Sequence, residues 1–125
     1  MKIEERAVKA KAWRWMPGML VRGEDPTSGN PGWIRVREFH NTLTLGGQAN
    51  LLINAYPDLL DPATIGCLLA LVRDAHRDAY MAAGCDGEDW IVADCDGLQV
   101  SRGRSEREVL VKALEAAPEY KELKL

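Results

Sequence analysis

The sequence predicts an α+β domain: an antiparallel sheet with two amphipathic helices packed on one face. Three observations predict it. Behind Asp61-Pro62, apolar residues from Ile65 onward recur at steps of three and four. Short runs such as Trp33–Phe39 and Trp90–Asp94 have strand character and are bounded by turn residues. Ser105-Glu106-Arg107-Glu108 then opens a second helical pattern. Two amphipathic helices each need an apolar surface, and the strand faces supply it.

Residues 1–12 read as a charged N-terminal arm or short helix, with a thin stripe of Ile3, Ala7, Val8 and Ala10. A single domain is expected over residues 13–118. In Trp13-Arg14-Trp15 the aromatics alternate with arginine, the period of a strand. Pro17-Gly18 interrupts it, and Met19-Leu20-Val21 can resume an extended path. Gly23 to Gly32 carries two prolines and three glycines among its ten residues and reads as a loop. Trp33–Phe39 alternates: Ile34 and Val36 point one way, and Trp33, Arg35, Arg37 and Phe39 the other. His40-Asn41 reads as a strand end. Thr42–Leu45, ended by Gly46-Gly47, is a further candidate strand, and Leu51–Tyr56 fits either a strand or a turn.

The central helix is the densest apolar element. Asp61 is a good N-cap, its carboxylate accepting from free N–H groups of the first turn, and Pro62 costs nothing at the first helical position. Ile65, Leu68, Leu69, Val72, His76, Ala79 and Tyr80 share one face, so the helix is expected to run over 61–83, stopped by Gly84. Asp86-Gly87-Glu88-Asp89 follows as an acidic loop. Trp90–Asp94 and Leu98–Ser101, joined through Cys95-Asp96-Gly97, form a hairpin. Ser105 and Glu108 make a capping box, and Val109, Leu110, Ala113, Leu114 and Ala117 continue its helix as far as Pro118. Residues 119–125 read as a tail.

With 125 residues, 46% hydrophobic and 28% charged, the chain is of globular composition, long enough for a core without metal or disulfide staples. No apolar run reaches the roughly 18–20 residues of a membrane span, and Met1–Arg6 lacks a secretory signal, so a cytoplasmic location is expected. Cys67, Cys85 and Cys95 form neither CxxC pairs nor an even framework. Cys67 reads as a small core hydrophobe; Cys85 and Cys95 could meet across a turn, although reduced thiols are expected. The net charge of −3 divides unevenly: residues 1–57 hold eight Lys/Arg against five Asp/Glu, and residues 58–125 eight against fourteen. That balance disfavours nucleic acid as a partner and leaves room for a local basic patch.

Catalytic groups are sparse. His76 falls on the apolar face of the central helix and reads as a core or boundary histidine; no Ser-His-Asp arrangement accompanies it. Asp86, Glu88, Asp89, Asp94 and Asp96 lack calcium-loop spacing and read as a solvated acidic turn region. Ser101-Arg102-Gly103-Arg104-Ser105 leads into a helix N-terminus, where free N–H groups and the macrodipole favour an anion. Arg102, Arg104, Ser105 and Arg107 are therefore candidate ligand residues, against the plainer reading in which Ser105 caps and the arginines pair with nearby carboxylates. Trp33, Arg35 and Arg37 form a second candidate, an aromatic and basic strand face suited to a partner. No cofactor or metal motif is present in the sequence.

Trp13-Arg14-Trp15-Met16-Pro17-Gly18-Met19 and Pro57-Asp58-Leu59-Leu60-Asp61-Pro62-Ala63-Thr64-Ile65-Gly66-Cys67-Leu68-Leu69-Ala70-Leu71-Val72-Arg73 resemble a group of small uncharacterised bacteriophage and prophage proteins. Trp90-Ile91-Val92 and Ser105-Glu106-Arg107-Glu108 with its alanine-rich helix extend the resemblance over most of residues 13–118. It implies a phage-borne accessory protein acting in the bacterial cytoplasm, and it carries over no catalytic residue. The expectation is a non-catalytic protein that binds a host protein or a small anionic ligand, in one form to counter a host defence system. The alternatives are an enzyme acting on a phosphate-containing substrate at Arg102–Ser105 with His76 as acid/base, or a virion component. Oligomeric state is left open.

Overall fold

The structure, a computed structural model, describes residues 1–39, 42–45 and 53–118. His40-Asn41, Gly46-Gly47, Leu51-Leu52 and the tail from Glu119 to Leu125 lie outside the described residues. The α+β expectation holds: three helices accompany antiparallel strands. The strands divide into two sheets rather than one. A four-stranded sheet has the order β3-β2-β1-β4, built from β1 (Leu20–Glu24), β2 (Pro31–Phe39), β3 (Thr42–Leu45) and β4 (Ile53–Pro57). A three-stranded meander, β5-β6-β7, comprises β5 (Ala82–Asp86), β6 (Asp89–Ala93) and β7 (Gln99–Gly103).

The helices fill the space around these sheets. α3 (Glu106–Glu115) covers the meander, and α2 (Pro62–Ala75) packs on α3. α1 (Ile3–Lys9) touches both α3 and β4, and its Ala7 is fully buried, so this charge-rich segment belongs to the same core. That core joins Met19, Val21 and Val36 from the first sheet to Leu68, Leu71 and Val72 of α2 and to Val92, Val109, Leu110 and Leu114.

Three local expectations are corrected. Trp13-Arg14-Trp15 is not a strand: turn bonds such as Trp13 N to Ala10 O (3.0 Å) replace a ladder, and the two indoles meet edge to face at 5.3 Å. Gly18, at φ 98°, turns the chain into β1. The central helix stops at Ala75 instead of reaching Ala83, because His76 and Arg77 reverse the chain; Ala82–Asp86 is a strand, and Tyr80 is exposed. The loop from Gly23 to Gly32 is shorter than expected, since β1 runs to Glu24 and β2 begins at Pro31. Asp25 closes that turn by accepting from Thr27 N at 2.8 Å.

Cys85 and Cys95 do not meet. The register Cys85↔Trp90 and Ala82↔Ala93 sets Cys95 beyond the far end of β6, five residues or about 16 Å along the sheet from Cys85's partner position. A disulfide needs Cα atoms within about 7 Å. Among the described residues all three cysteines are free. Burial and the neighbouring Asp61 carboxylate push the Cys67 thiol up, and hydrogen bonding to Asp78 does the same for Cys95, so neither is set up as a thiolate nucleophile.

Candidate functional site

Of the two candidate surfaces, the corner before α3 is largely engaged by its own groups. Ser105 Oγ accepts from Glu108 N at 3.3 Å, and Glu108 Oε2 reaches back to accept from Arg104 N at 2.9 Å. Ser105 caps the first turn, and the Glu108 carboxylate reaches back past the cap residue to the N–H of Arg104, placing a negative charge at the corner that disfavours an anion. Gly103 makes room for it, because a Cβ there would lie 2.9 Å from the Glu108 carboxylate. Arg104 N and Lys112 hold the Glu108 carboxyl below its ordinary range.

Arg102 is committed as well. The hairpin β5–β6 closes through Gly87-Glu88 and sets Asp86 directly opposite Asp89, two like charges on one face. Arg102 reaches both: Nη1 donates to Asp89 Oδ2 at 3.0 Å and Nη2 to Asp86 Oδ2, with Gln99 Oε1 at 3.3 Å. Arg104 is exposed, 3.7 Å from Asp89. Arg107 lies at the rim of an open cleft of about 460 Å³ between the starts of α2 and α3, beside Leu60, Pro62 and Ile65. The acidic residues nearby serve turns: Asp94 Oδ1 accepts from Asp96 N and Leu98 N, both at 2.9 Å.

His76 lies out of reach of that corner. Its Nε2 is 2.7 Å from the carbonyl of Ala113, which fixes Nε2–H as the donor. Ala113 is eight residues along α3 from Ser105, about 12 Å of helix. Acid/base chemistry needs hydrogen-bond contact.

The second candidate surface is rearranged. On β2 the exposed residues alternate as the sequence suggests: Trp33 is 54% exposed and Arg35 exposed, while Val36 is buried. Arg35, however, is a clamp within the fold. Its Nη1 donates to Asp61 Oδ2 at 2.6 Å and to Gly18 O at 2.9 Å, and Nη2 lies 3.4 Å from Asp61 Oδ1. The backbone of Arg37 pairs with Thr44 in the β2–β3 ladder, and its side chain lies outside what is described.

Two further residues join Trp33 instead. Arg22 of β1 pairs in register with Trp33 on one side and Tyr56 of β4 on the other. Directly opposed residues in antiparallel strands project on the same face, so Trp33, Arg22 and Tyr56 form one row across three strands. The Arg22 guanidinium carbon stands 5.3 Å from the Trp33 ring centroid, a cation–π contact. Beside the row opens a cleft of about 430 Å³ lined by Arg22, Tyr56, Pro57, Leu60 and, from the start of α1 and the residue before it, Glu5 and Lys2. Arg22 sits in an isolated run with no strand partner legible in the sequence; only the register brings it to Trp33. A further cleft, about 760 Å³, lies between α1 and the end of α3, where Arg6 is paired with Glu115 at 2.5 Å.

Compared with known proteins, the chain matches no protein-family model, no curated protein and no solved structure. Among the described residues no group of three or more His, Cys, Asp or Glu could hold a metal ion, and no helix is long and apolar enough to cross a membrane.

Proposed function

We propose that this is a small binding protein that engages its partner through the outer face of the four-stranded sheet, centred on Trp33, Arg22 and Tyr56. The observation that carries this reading is the cation–π pair at 5.3 Å on an indole that is 54% exposed. Tryptophan, tyrosine and arginine are the residue types that anchor interfaces, since each offers a large rigid contact area and a polar handle. Stacking preorganises the arginine, so it loses little freedom when it meets a carboxylate or a phosphate. Either a host protein with an acidic segment or a small anionic ligand fits that chemistry. The resemblance to phage proteins supports a phage accessory role in the bacterial cytoplasm, and countering a host defence system is the form we favour.

The test compares wild type with Trp33→Ala and Arg22→Ala, both on an exposed face where truncation spares the core. Capture from bacterial lysate and thermal-shift screening of nucleotides and other small anions should yield a binder for wild type that both variants lose. A binder retained at full strength by both variants would move the interface elsewhere, and no binder at all for folded wild type would sink the reading.

A further inference from the structure

The two edges of the β5–β6–β7 meander differ. Two-residue closure of the β5–β6 hairpin at Gly87-Glu88, with Gly87 at φ 65°, makes Asp86↔Asp89 a hydrogen-bonded pair. Pairs alternate from there, so Gly84↔Ile91 is also bonded, while Cys85 and Ala83 turn their N–H and C=O groups away from β6. The opposite edge confirms the parity. Ile91 spends its groups on Gly84, which leaves the Arg102 carbonyl pointing outward from β7, and there it accepts from Lys112 Nζ at 2.9 Å. A lysine thus covers the β7 edge. On β5, the outward groups of Ala83 and Cys85 meet no donor or acceptor among the described residues. The strand reads Ala-Ala-Gly-Cys-Asp, without proline, lysine or a register shift, three of the devices that blunt edges, and its one charge lies at the end of the strand.

We infer that β5 is a self-pairing edge, and that two copies of this chain join their meanders into one six-stranded antiparallel sheet about a two-fold axis at Gly84. The register makes the edge self-complementary. With Gly84 opposite Gly84 of the second copy, Ala83 faces Cys85 of that copy, and these are the residues whose backbone groups point outward. Each such pair exchanges two hydrogen bonds, four in all. The same register keeps like charges apart, because Asp86 then faces Ala82 of the second copy instead of another Asp86. At the centre neither glycine presents a side chain, and a Cβ at Gly84 would meet nothing within 4 Å, so the sheet face there is uncrowded. Five residues per strand form a small interface, which predicts a concentration-dependent dimer, not an obligate one. This inference is independent of the Trp33 face.

Charge swapping at the axis tests it. Gly84→Lys and Gly84→Glu each place like charges directly opposite one another in the dimer, with open space around the new side chain in the monomer. In sedimentation equilibrium each variant alone should dimerise at least about fivefold more weakly than wild type, and an equimolar mixture of the two should recover the dimer. Ala83→Pro removes an outward N–H without touching the β5–β6 ladder and should leave a monomer of unchanged circular dichroism. In a Cys95→Ser background, a short bismaleimide should link the two Cys85 thiols, which occupy diagonal positions about 7–8 Å apart. Wild type that stays monomeric near millimolar concentration would overturn the inference, as would a dimer indifferent to both charge variants and to Ala83→Pro.

Discussion

Arg35 and Asp61 tie the second strand to the start of the central helix: the guanidinium donates at 2.6 Å to the same carboxylate oxygen that caps the helix at Thr64 N. Arg35 holds the Asp61 carboxyl below its ordinary value, with the Thr64 hydrogen bonds adding to the effect. Removing either partner should therefore have unequal consequences. Arg35→Ala loses a charge-assisted pair that is partly open to solvent, about 1 kcal/mol. Asp61→Ala also loses the cap and should cost about 2 kcal/mol, whereas Asp61→Asn keeps a capping oxygen and should fall between them. Urea unfolding of the three variants checks the order.

Thr64 extends this network into β1. Its hydroxyl donates to Asp61 Oδ2 at 2.9 Å and accepts from Leu20 N at 2.8 Å, and the residue is fully buried. Thr64→Val fills the same volume but strands the Leu20 N–H and removes the hydroxyl donor from the Asp61 carboxylate. A loss of about 1–3 kcal/mol is expected, against under about 1 kcal/mol for Thr64→Ser, which keeps the hydroxyl. Denaturant midpoints at constant m-value would separate the two.

Acid should weaken the fold through two of these caps. The folded-state values of Asp61 and Glu108 both lie below their ordinary 3.8 and 4.5. Between the folded and unfolded values the unfolded chain binds more protons, so stability rises with pH there. The contribution is complete above the ordinary values and is lost as pH falls through the lowered ones. Stability measured from pH 6 down to pH 2 should drop most steeply below about pH 4.5, and the Asp61→Asn/Glu108→Gln double variant should show a shallower slope. An unchanged slope would remove these two carboxylates as the cause.

At the meander's tip, Arg102 offsets the repulsion of Asp86 and Asp89. Arg102→Ala should lower the melting temperature at low salt, with most of the difference gone near 1 M salt, where the repulsion between the two carboxylates is screened. Asp86→Asn in the Arg102→Ala background should restore part of the loss. Thermal unfolding at two ionic strengths reads both effects.

Local signals in the sequence carried over well. Asp61-Pro62 and Ser105-x-x-Glu108 each begin a helix where their chemistry says, because a cap is decided by a handful of neighbouring atoms. The alternation in Trp33–Val36 likewise survives, since one face of β2 meets the core. What the linear order hides is pairing. Arg22 and Tyr56 join Trp33 through a register set by three separate strands, and Arg35 finds Asp61 because the chain between them folds back. The stretches Trp13–Met19 and Pro57–Arg73 also meet in space, where Cys67 Sγ donates to Pro17 O at 3.5 Å. Those residues hold the fold together, which explains why they point to no chemistry. The Arg102 corner reads as an anion site only while its carboxylates, supplied from β5 and β6, are out of view.

The end of the central helix failed for a specific reason that makes a final prediction. Arg77 N donates to Asp74 O at 3.1 Å and Asp78 N to Arg73 O at 2.9 Å, the paired bonds of a Schellman motif. The left-handed position of that motif usually holds glycine, and here Arg77 occupies it at φ 52°. The helical spacing therefore runs on through Ala79 and Tyr80 with no glycine to mark the stop. Asp78 secures the reversal by accepting from Tyr80 N at 3.0 Å and Cys95 N at 2.9 Å, which bonds hold its carboxyl below the ordinary range. A left-handed conformation costs a non-glycine residue about 1–2 kcal/mol, and glycine relieves it at an entropic cost of about 0.5–1 kcal/mol. Arg77→Gly should stabilise the protein by up to about 1 kcal/mol, an unusual direction for a change to glycine, while Arg77→Val should destabilise it. Urea unfolding checks the sign, and a clear loss of stability in Arg77→Gly would mean that the arginine side chain contributes more than its backbone strain removes.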